Sequence, residues 1–250
     1  MTNNISASQL RKLFAVAFTF LVLPAVANAA TVTFGPTPYL EGSPIAGQGD
    51  TPVDFFDFSH PDCIAFIEDF ELGVTDPFLS IDGGPNGGIL APNSFSGLAM
   101  SVTDSVDGDD GVVDGNGNGG YSYFAEGQQS VTVTFASVVH AAGLVFTDGD
   151  SASTNVALEA FDPMGNSLGI INAGDLADDV FTGTTAEDHF LGFTDNMVGI
   201  GSITLSINAG DGIEIDHIHW QEPKPVPEPS AQLMSMFALL GLVGLRRRRR

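Results

Sequence analysis

The sequence predicts an all-β fold, a single β-sandwich or jelly roll, for the long middle of the chain. Three observations carry this. Apolar segments are short, and several alternate with polar residues, as in Val131-Thr132-Val133-Thr134-Phe135. The 30 glycines and 14 prolines break the chain too often for long helices. No long segment before the tail keeps a helical apolar period.

Taken in order, residues 1–29 read as a secretory signal peptide. Arg11 and Lys12 form a positive start, Leu13 to Leu23 is an apolar stretch, and Ala27-Asn28-Ala29 is a small-residue cleavage site for signal peptidase. Residues 30–222, about 190 in all, are long enough for one domain with a substantial core. Within them, Ala142 to Phe146 is a buried-type strand. Val156 to Phe161, the turn Asp162-Pro163-Met164-Gly165-Asn166, and Ser167 to Ile171 form a hairpin signal. Ser202 to Asn208 alternates, and Gly212 to Trp220 makes a last strand. A glycine-rich loop, Asp107 to Gly120, separates the less regular first half from the second. Residues 223–229 form a stiff, proline-rich linker. Residues 230–250 read as a membrane helix with a basic end. Its apolar part, Ser230 to Leu245, would extend about 24 Å at roughly 1.5 Å per residue, short for a bilayer core of about 30 Å. The basic end would stay on the cytoplasmic side.

Charge is distributed very unevenly. The formal net charge is −23, yet Thr31 to Glu222 contains no Lys and no Arg, and every acidic residue except Glu228 lies there. Such a body cannot neutralise phosphates, which excludes nucleic acid as a partner. Nor can it form internal Lys or Arg salt bridges. Its carboxylates must be spaced apart, solvated, or bridged by external cations, and a divalent metal is the obvious source.

Ca²⁺ suits this chemistry because it takes six to eight oxygens in flexible geometry. In the loop DGDDGVVDGNGNGG the candidate ligands are Asp107, Asp109, Asp114, Asn116 and Asn118. Asp114 to Gly119 matches the opening of an EF-hand loop, but the twelfth position is Ala125 rather than Glu, so an EF-hand is excluded. A merely solvated loop remains the competing reading. His217-Ile218-His219 is a metal-capable pair expected on the same strand face as Ile213 and Ile215. Packed histidines are the simpler reading. Cys63 is the only cysteine and lies in an apolar run, so it reads as a buried thiol with no internal disulfide. Trp220, Tyr121 and Tyr123 are candidates for an aromatic sugar platform or for ordinary packing. No nucleophile elbow, zinc-protease motif or phosphate loop is present, so the body is not expected to be an enzyme. An exported sugar-active hydrolase is the alternative.

The end of the chain reads Pro227-Glu228-Pro229, an apolar run, and then Arg246, Arg247, Arg248, Arg249 and Arg250. This order resembles the PEP-CTERM sorting signal of Gram-negative bacteria. The resemblance implies recognition by an exosortase, a transient inner-membrane intermediate and delivery to the cell surface or extracellular matrix. Phe66-Ile67-Glu68-Asp69-Phe70-Glu71 and Gly212 to Ile218 resemble the first and last strands of jelly-roll carbohydrate-binding modules. That resemblance implies neighbouring strands and a structural Ca²⁺ between Glu71 and Asp216. Together these readings give a surface protein with a structural or adhesive role and calcium-dependent contact with polysaccharide.

Overall fold

The computed structural model describes residues 31–39, 52, 54–56, 63–94, 103–106, 119–148, 155–176, 187–195 and 197–223. The signal peptide, the candidate ligands between Asp107 and Asn118, the Pro227-Glu228-Pro229 triplet and the arginine block lie outside these residues. Among the described residues there are twelve strands. They are β1 (Val32–Pro38), β2 (Cys63–Glu68), β3 (Leu79–Asp82), β4 (Gly87–Leu90), β5 (Ser122–Ala125) and β6 (Ser130–Val139). Then come β7 (Ala141–Asp148), β8 (Asn155–Phe161), β9 (Ser167–Asp175), β10 (His189–Thr194), β11 (Ile200–Ser206) and β12 (Glu214–Pro223).

These strands build two antiparallel sheets packed as a sandwich. One sheet has the order β1-β10-β7-β12-β5-β4, with β2 also paired to β12. The other has the order β3-β6-β11-β8-β9. The expected β8–β9 hairpin forms. Its turn is tied by Asp162, whose side chain accepts the Met164 and Asn166 N–H groups at 2.8 Å each. Gly165 follows with φ of 82°, the left-handed position such a turn requires. The expected adjacency of the Phe66 region and the last strand also holds, with Ile218 opposite Glu68 and Trp220 opposite Phe66. The strand series, however, begins earlier than the sequence reading placed it, at β1.

The alternating residues of β6 and β11 explain the main core. Val131, Val133 and Phe135 point inward, as do Ile203 and Leu205, against Leu144, Phe146, Leu191 and Phe193 of the facing sheet. Trp220 is 1% exposed and stacks on Phe66 at 5.3 Å and on Phe78 at 5.6 Å. Tyr123 is also buried. Trp220 and Tyr123 are thus packing residues, and no solvent-facing platform forms from them.

The seven-stranded sheet is covered on its other face too. Tyr39, Phe55, Phe56, Val106, Ala141, Val145 and Phe190 form a second, smaller core there. A β-bulge makes this double-sided packing possible. The register between β12 and β7 shifts between Asp216 and His219, and His217 takes φ of 38°. Ile213 and Ile215 face the main core before the bulge, and Ile218 and Trp220 face it after. The two histidines therefore do not share a side with Ile213 and Ile215. They pack against Tyr39 on the opposite face. One extra residue in the strand reverses the simple alternation.

Close approach between β7 and β10 gives a testable consequence. A Cβ on Gly143 would lie 2.7 Å from the Leu191 carbonyl oxygen and 2.6 Å from the Phe190 ring. Backbone cannot move aside cheaply there. Gly143→Ala should destabilise the fold by about 1–3 kcal/mol. Gly88→Ala, with nothing within 4 Å, should be neutral or mildly stabilising. Urea denaturation of both variants checks this, and equal stability would contradict the packing described.

Candidate metal centre

On the second-core face of the seven-stranded sheet, where β7, β10 and β12 meet, lies a group of buried carboxylates. Asp104, Asp148, Glu187, Asp188, Glu214 and Asp216 are all buried, and Asp104, Asp188, Glu214 and Asp216 have no exposed surface. Their positions follow from the strands. Glu214 and Asp216 alternate with Ile213 and Ile215, so the isoleucines enter the main core and the acids face away from it. Glu214 pairs with Asp148 across the β12–β7 ladder, placing like charges opposite each other. Asp188 immediately precedes β10.

The segment 103–106 lies across this group. The Asp104 N–H donates to Glu214 Oε1 at 2.7 Å. The Ser105 hydroxyl and the Val106 N–H donate to Asp216 Oδ2 at 2.8 and 3.0 Å. The other Asp216 oxygen accepts its neighbour's His217 N–H at 2.7 Å, and Ser122 donates to Glu214. Glu214 and Asp216 thus have protein donors. Asp104 and Asp188 differ: no protein group bonds either oxygen of either side chain. The Thr147 hydroxyl is also without a partner.

The electrostatics match. Burial pushes the Asp104 carboxyl well above the ordinary carboxylate range, and Asp188, Glu214, Asp148 and Glu187 push it further. Burial does the same to Asp188, reinforced by Asp216, Glu187, Glu214 and Asp148. Glu214 is raised by burial and by Asp148, against the Asp104 N–H and Ser122. Beside this group the Tyr39 hydroxyl shares hydrogen bonds with His217 Nδ1 at 2.8 Å and His219 Nε2 at 3.3 Å. Burial, and then His217, hold His219 well below the usual imidazole range, so it stays neutral. The pair is a packed, bonded element.

Glu71 accepts the Tyr121 N–H at 2.6 Å. Glu68, at the end of β2, instead ties down the following turn by accepting the Phe70 N–H at 2.8 Å and the Asp76 N–H. Among the described residues no three His, Cys, Asp or Glu side chains already converge as a finished metal shell. Asp104, Asp188 and Glu214 were missed by sequence reasoning. The Ile-Glu-Ile-Asp alternation of β12 was a visible signal for Glu214. Asp104 and Asp188 come from segments far apart in the chain and gave none.

Comparison with known proteins speaks to the tail. Residues 225–250 match the model of the PEP-CTERM protein-sorting motif. The chain carries an exosortase sorting signal. That signal marks an exported protein that passes through a membrane-anchored intermediate to the cell surface. No curated protein matches the chain. Among solved structures, TmCBM61 in complex with beta-1,4-galactotriose is similar over 62% of this chain and 94% of its own, with 15% identity and a TM-score of 0.34. The enzymatically active domain of bacteriophage CBA120 tailspike protein 4 is similar over 73% of this chain and 22% of its own, with 13% identity and a TM-score of 0.27.

The buried acids set a pH dependence. With folded-state values above the unfolded ones, Asp104, Asp188 and Glu214 bind protons more tightly in the folded chain. Their effect is then most favourable at low pH and is lost as pH rises through the raised values. Asp195, where burial is outweighed by the N–H groups of Gly199, Val198 and Met197 and by Thr31, is held low. Its contribution is complete above about pH 5. In EDTA the melting midpoint should therefore fall between about pH 5 and pH 8, and Asp188→Asn should flatten the slope. A midpoint that climbs steadily over this range would contradict the geometry.

Proposed function

We propose that the protein is a structural or adhesive module of the cell surface or matrix whose exposed sheet face contacts neutral polysaccharide. The observation that carries this reading is the outer face of the five-stranded sheet. Ladder pairing aligns Ser80, Thr134 and Ser202 in one row across β3, β6 and β11. Asp82, Thr132, Thr204 and Glu159 form the next row, extending to β8. The Thr132 and Thr204 hydroxyls bond each other at 2.9 Å. At one end a shallow cleft is lined by Thr134, Ser137, Asp162, Pro163 and Ser202.

Hydroxyls and carboxylates on a flat, open face match the hydrogen-bonding groups of a sugar polymer. The absence of Lys and Arg from Thr31 to Glu222 disfavours sulfated or uronate polymers by like-charge repulsion. Neutral chains are the fitting class. A structural role rather than turnover is supported by the buried acids: Asp104, Asp188, Glu214 and Asp216 have no exposed surface and cannot touch a polymer. An exported sugar-active hydrolase is the second reading, and the same assay separates the two. Calcium dependence of glycan contact would be indirect, through the stability of the sandwich.

The full chain in detergent should be retained on a neutral-glycan array and should release no reducing ends from the bound glycan. Thr134→Ala with Ser202→Ala should weaken retention roughly thirtyfold, at about 1 kcal/mol per lost hydrogen bond. Turnover of a bound glycan would replace this reading with the hydrolase. Sorting is tested separately. Glu228→Ala, or deletion of Arg246 to Arg250, should leave the protein in the inner membrane of an exosortase-bearing host. Unchanged fractionation of both variants would rule out exosortase dependence.

A further inference from the structure

We propose that Asp104 and Asp188 are ligands of a buried Ca²⁺ that fastens the 103–106 segment and the start of β10 to the β7–β12 ladder. This site goes beyond the glycan reading and does not depend on it. It also differs from the two sites expected from sequence, the Asp107 to Asn118 loop and the Glu71–Asp216 pair.

The argument begins with unanswered oxygens. Asp104 and Asp188 are both fully buried, and no protein group bonds any of their carboxylate oxygens. A buried polar atom left without a partner costs about 1–3 kcal/mol, and a charged one more. Elsewhere the chain takes care to bond its acids, as at Asp195, which accepts three backbone N–H groups at 2.8–3.0 Å. Leaving two acids unbonded at one place is therefore a departure from the pattern of the same molecule.

The neighbours make the departure sharper. Asp148, Glu187, Glu214 and Asp216 all act on Asp188 as further negative charge. No Lys or Arg exists between Thr31 and Glu222 to offset them. Protonation would remove charge, but the resulting carboxyl groups would still lack partners. A divalent cation answers both deficits, since it supplies positive charge and bonds several oxygens at once.

Donor chemistry selects the metal class. The available groups are carboxylates and the unpartnered Thr147 hydroxyl, all oxygens. Thr147 follows Phe146, the residue paired with His189, so it stands level with Asp188 on the adjacent strand. His217 and His219 are engaged by Tyr39, which leaves zinc and copper without their preferred nitrogen donors. Ca²⁺ tolerates irregular shells of six to eight oxygens, whereas Mg²⁺ demands a near-ideal octahedron. Acids that act on one another's charge without already forming a converged shell suit the more permissive ion.

The placement explains what the ion would do. Asp104 belongs to the covering segment, Asp188 to the entry of β10, and Glu214 and Asp216 to β12. One ion drawing in Asp104 and Asp188 beside Glu214 and Asp216 would close three separate stretches over the second core. Its role would be structural, since no ligand reaches solvent.

The test is thermal melting of the full chain in detergent at neutral pH. Four conditions are compared: EDTA, CaCl₂, MgCl₂, and NaCl matched for ionic strength. Calcium should raise the midpoint by several degrees beyond matched NaCl, and magnesium by less. Asp104→Asn and Asp188→Asn should raise the midpoint in EDTA, because each removes a buried negative charge. They should also weaken calcium binding, measured by calorimetry, about tenfold or more. Thr147→Val keeps the shape of the side chain and should weaken binding several-fold with the fold intact, which preserves the test if the Asn variants do not fold. Glu71→Gln and Asp114→Asn should leave the calcium response unchanged. A calcium shift no larger than that of matched NaCl would overturn the site. So would full calcium affinity in Asp104→Asn, Asp188→Asn or Thr147→Val, or loss of the response in Glu71→Gln or Asp114→Asn.

Discussion

Carboxylates without basic partners are the constraint under which this fold is built. In most domains a buried acid is met by Arg or Lys, but here neither residue exists between Thr31 and Glu222. The chain substitutes backbone N–H groups and hydroxyls. Asp195 gathers the amides of residues 197–199 and the Thr31 hydroxyl. Glu68 holds the turn after β2, and Asp162 holds the β8–β9 turn. Each of these acids fixes a loop against a strand, so the excess of negative charge is also the means by which loops are shaped. The strategy reaches its limit where β7, β10 and β12 converge. Too many acids arrive there for the donors available.

Beside that convergence, β12 carries a bulge at His217. Without it, β12 would keep Ile213, Ile215, His217 and His219 on one face, and two imidazoles would enter the main core. The extra residue lets Ile218 and Trp220 resume the core face while both histidines turn to Tyr39. Glu214 and Asp216 precede the bulge and lie beneath the 103–106 segment by plain alternation with Ile213 and Ile215. The bulge thus serves packing on both faces of the sheet by re-aiming the residues that follow it.

The legible parts of the fold are those where local pattern and tertiary role agree. β6, β8 and β11 alternate with one face in the core and one outside, so period-two reading located them, and β9 was legible through the hairpin turn that precedes it. β7 is buried on both faces, and its unbroken apolar run reads correctly as a strand of that kind. β3, β4 and β5 are four residues each, too short to show a period. β10 (HFLGFT) has Phe190 on the second core and Leu191 and Phe193 on the first, so no polar face announces it. The candidate site divides in the same way. Asp216 was visible because a strand displays it, and the Asp114 and Glu71 proposals followed local motifs. Asp104 and Asp188 are about 80 residues apart in sequence and meet only because β12 and β10 flank β7. No local pattern encodes such a meeting. The His217–His219 orientation failed for a related reason, since a bulge is specified by its partner strands.

The two faces of the sandwich therefore carry different duties. The seven-stranded sheet is covered on both sides, and its acids are sealed from solvent. The five-stranded sheet keeps one face open, with hydroxyl rows and few large apolar groups. The proposed glycan contact falls on this second face, and the sealed acids would bear on it only through how firmly the sandwich is closed. A sorting signal at residues 225–250 sends the chain out of the cell. If the proposed ion is bound, a cation outside the cell would stand in for the basic residues the body lacks, and the sandwich would be firmest only after export, which is the order a translocated chain needs.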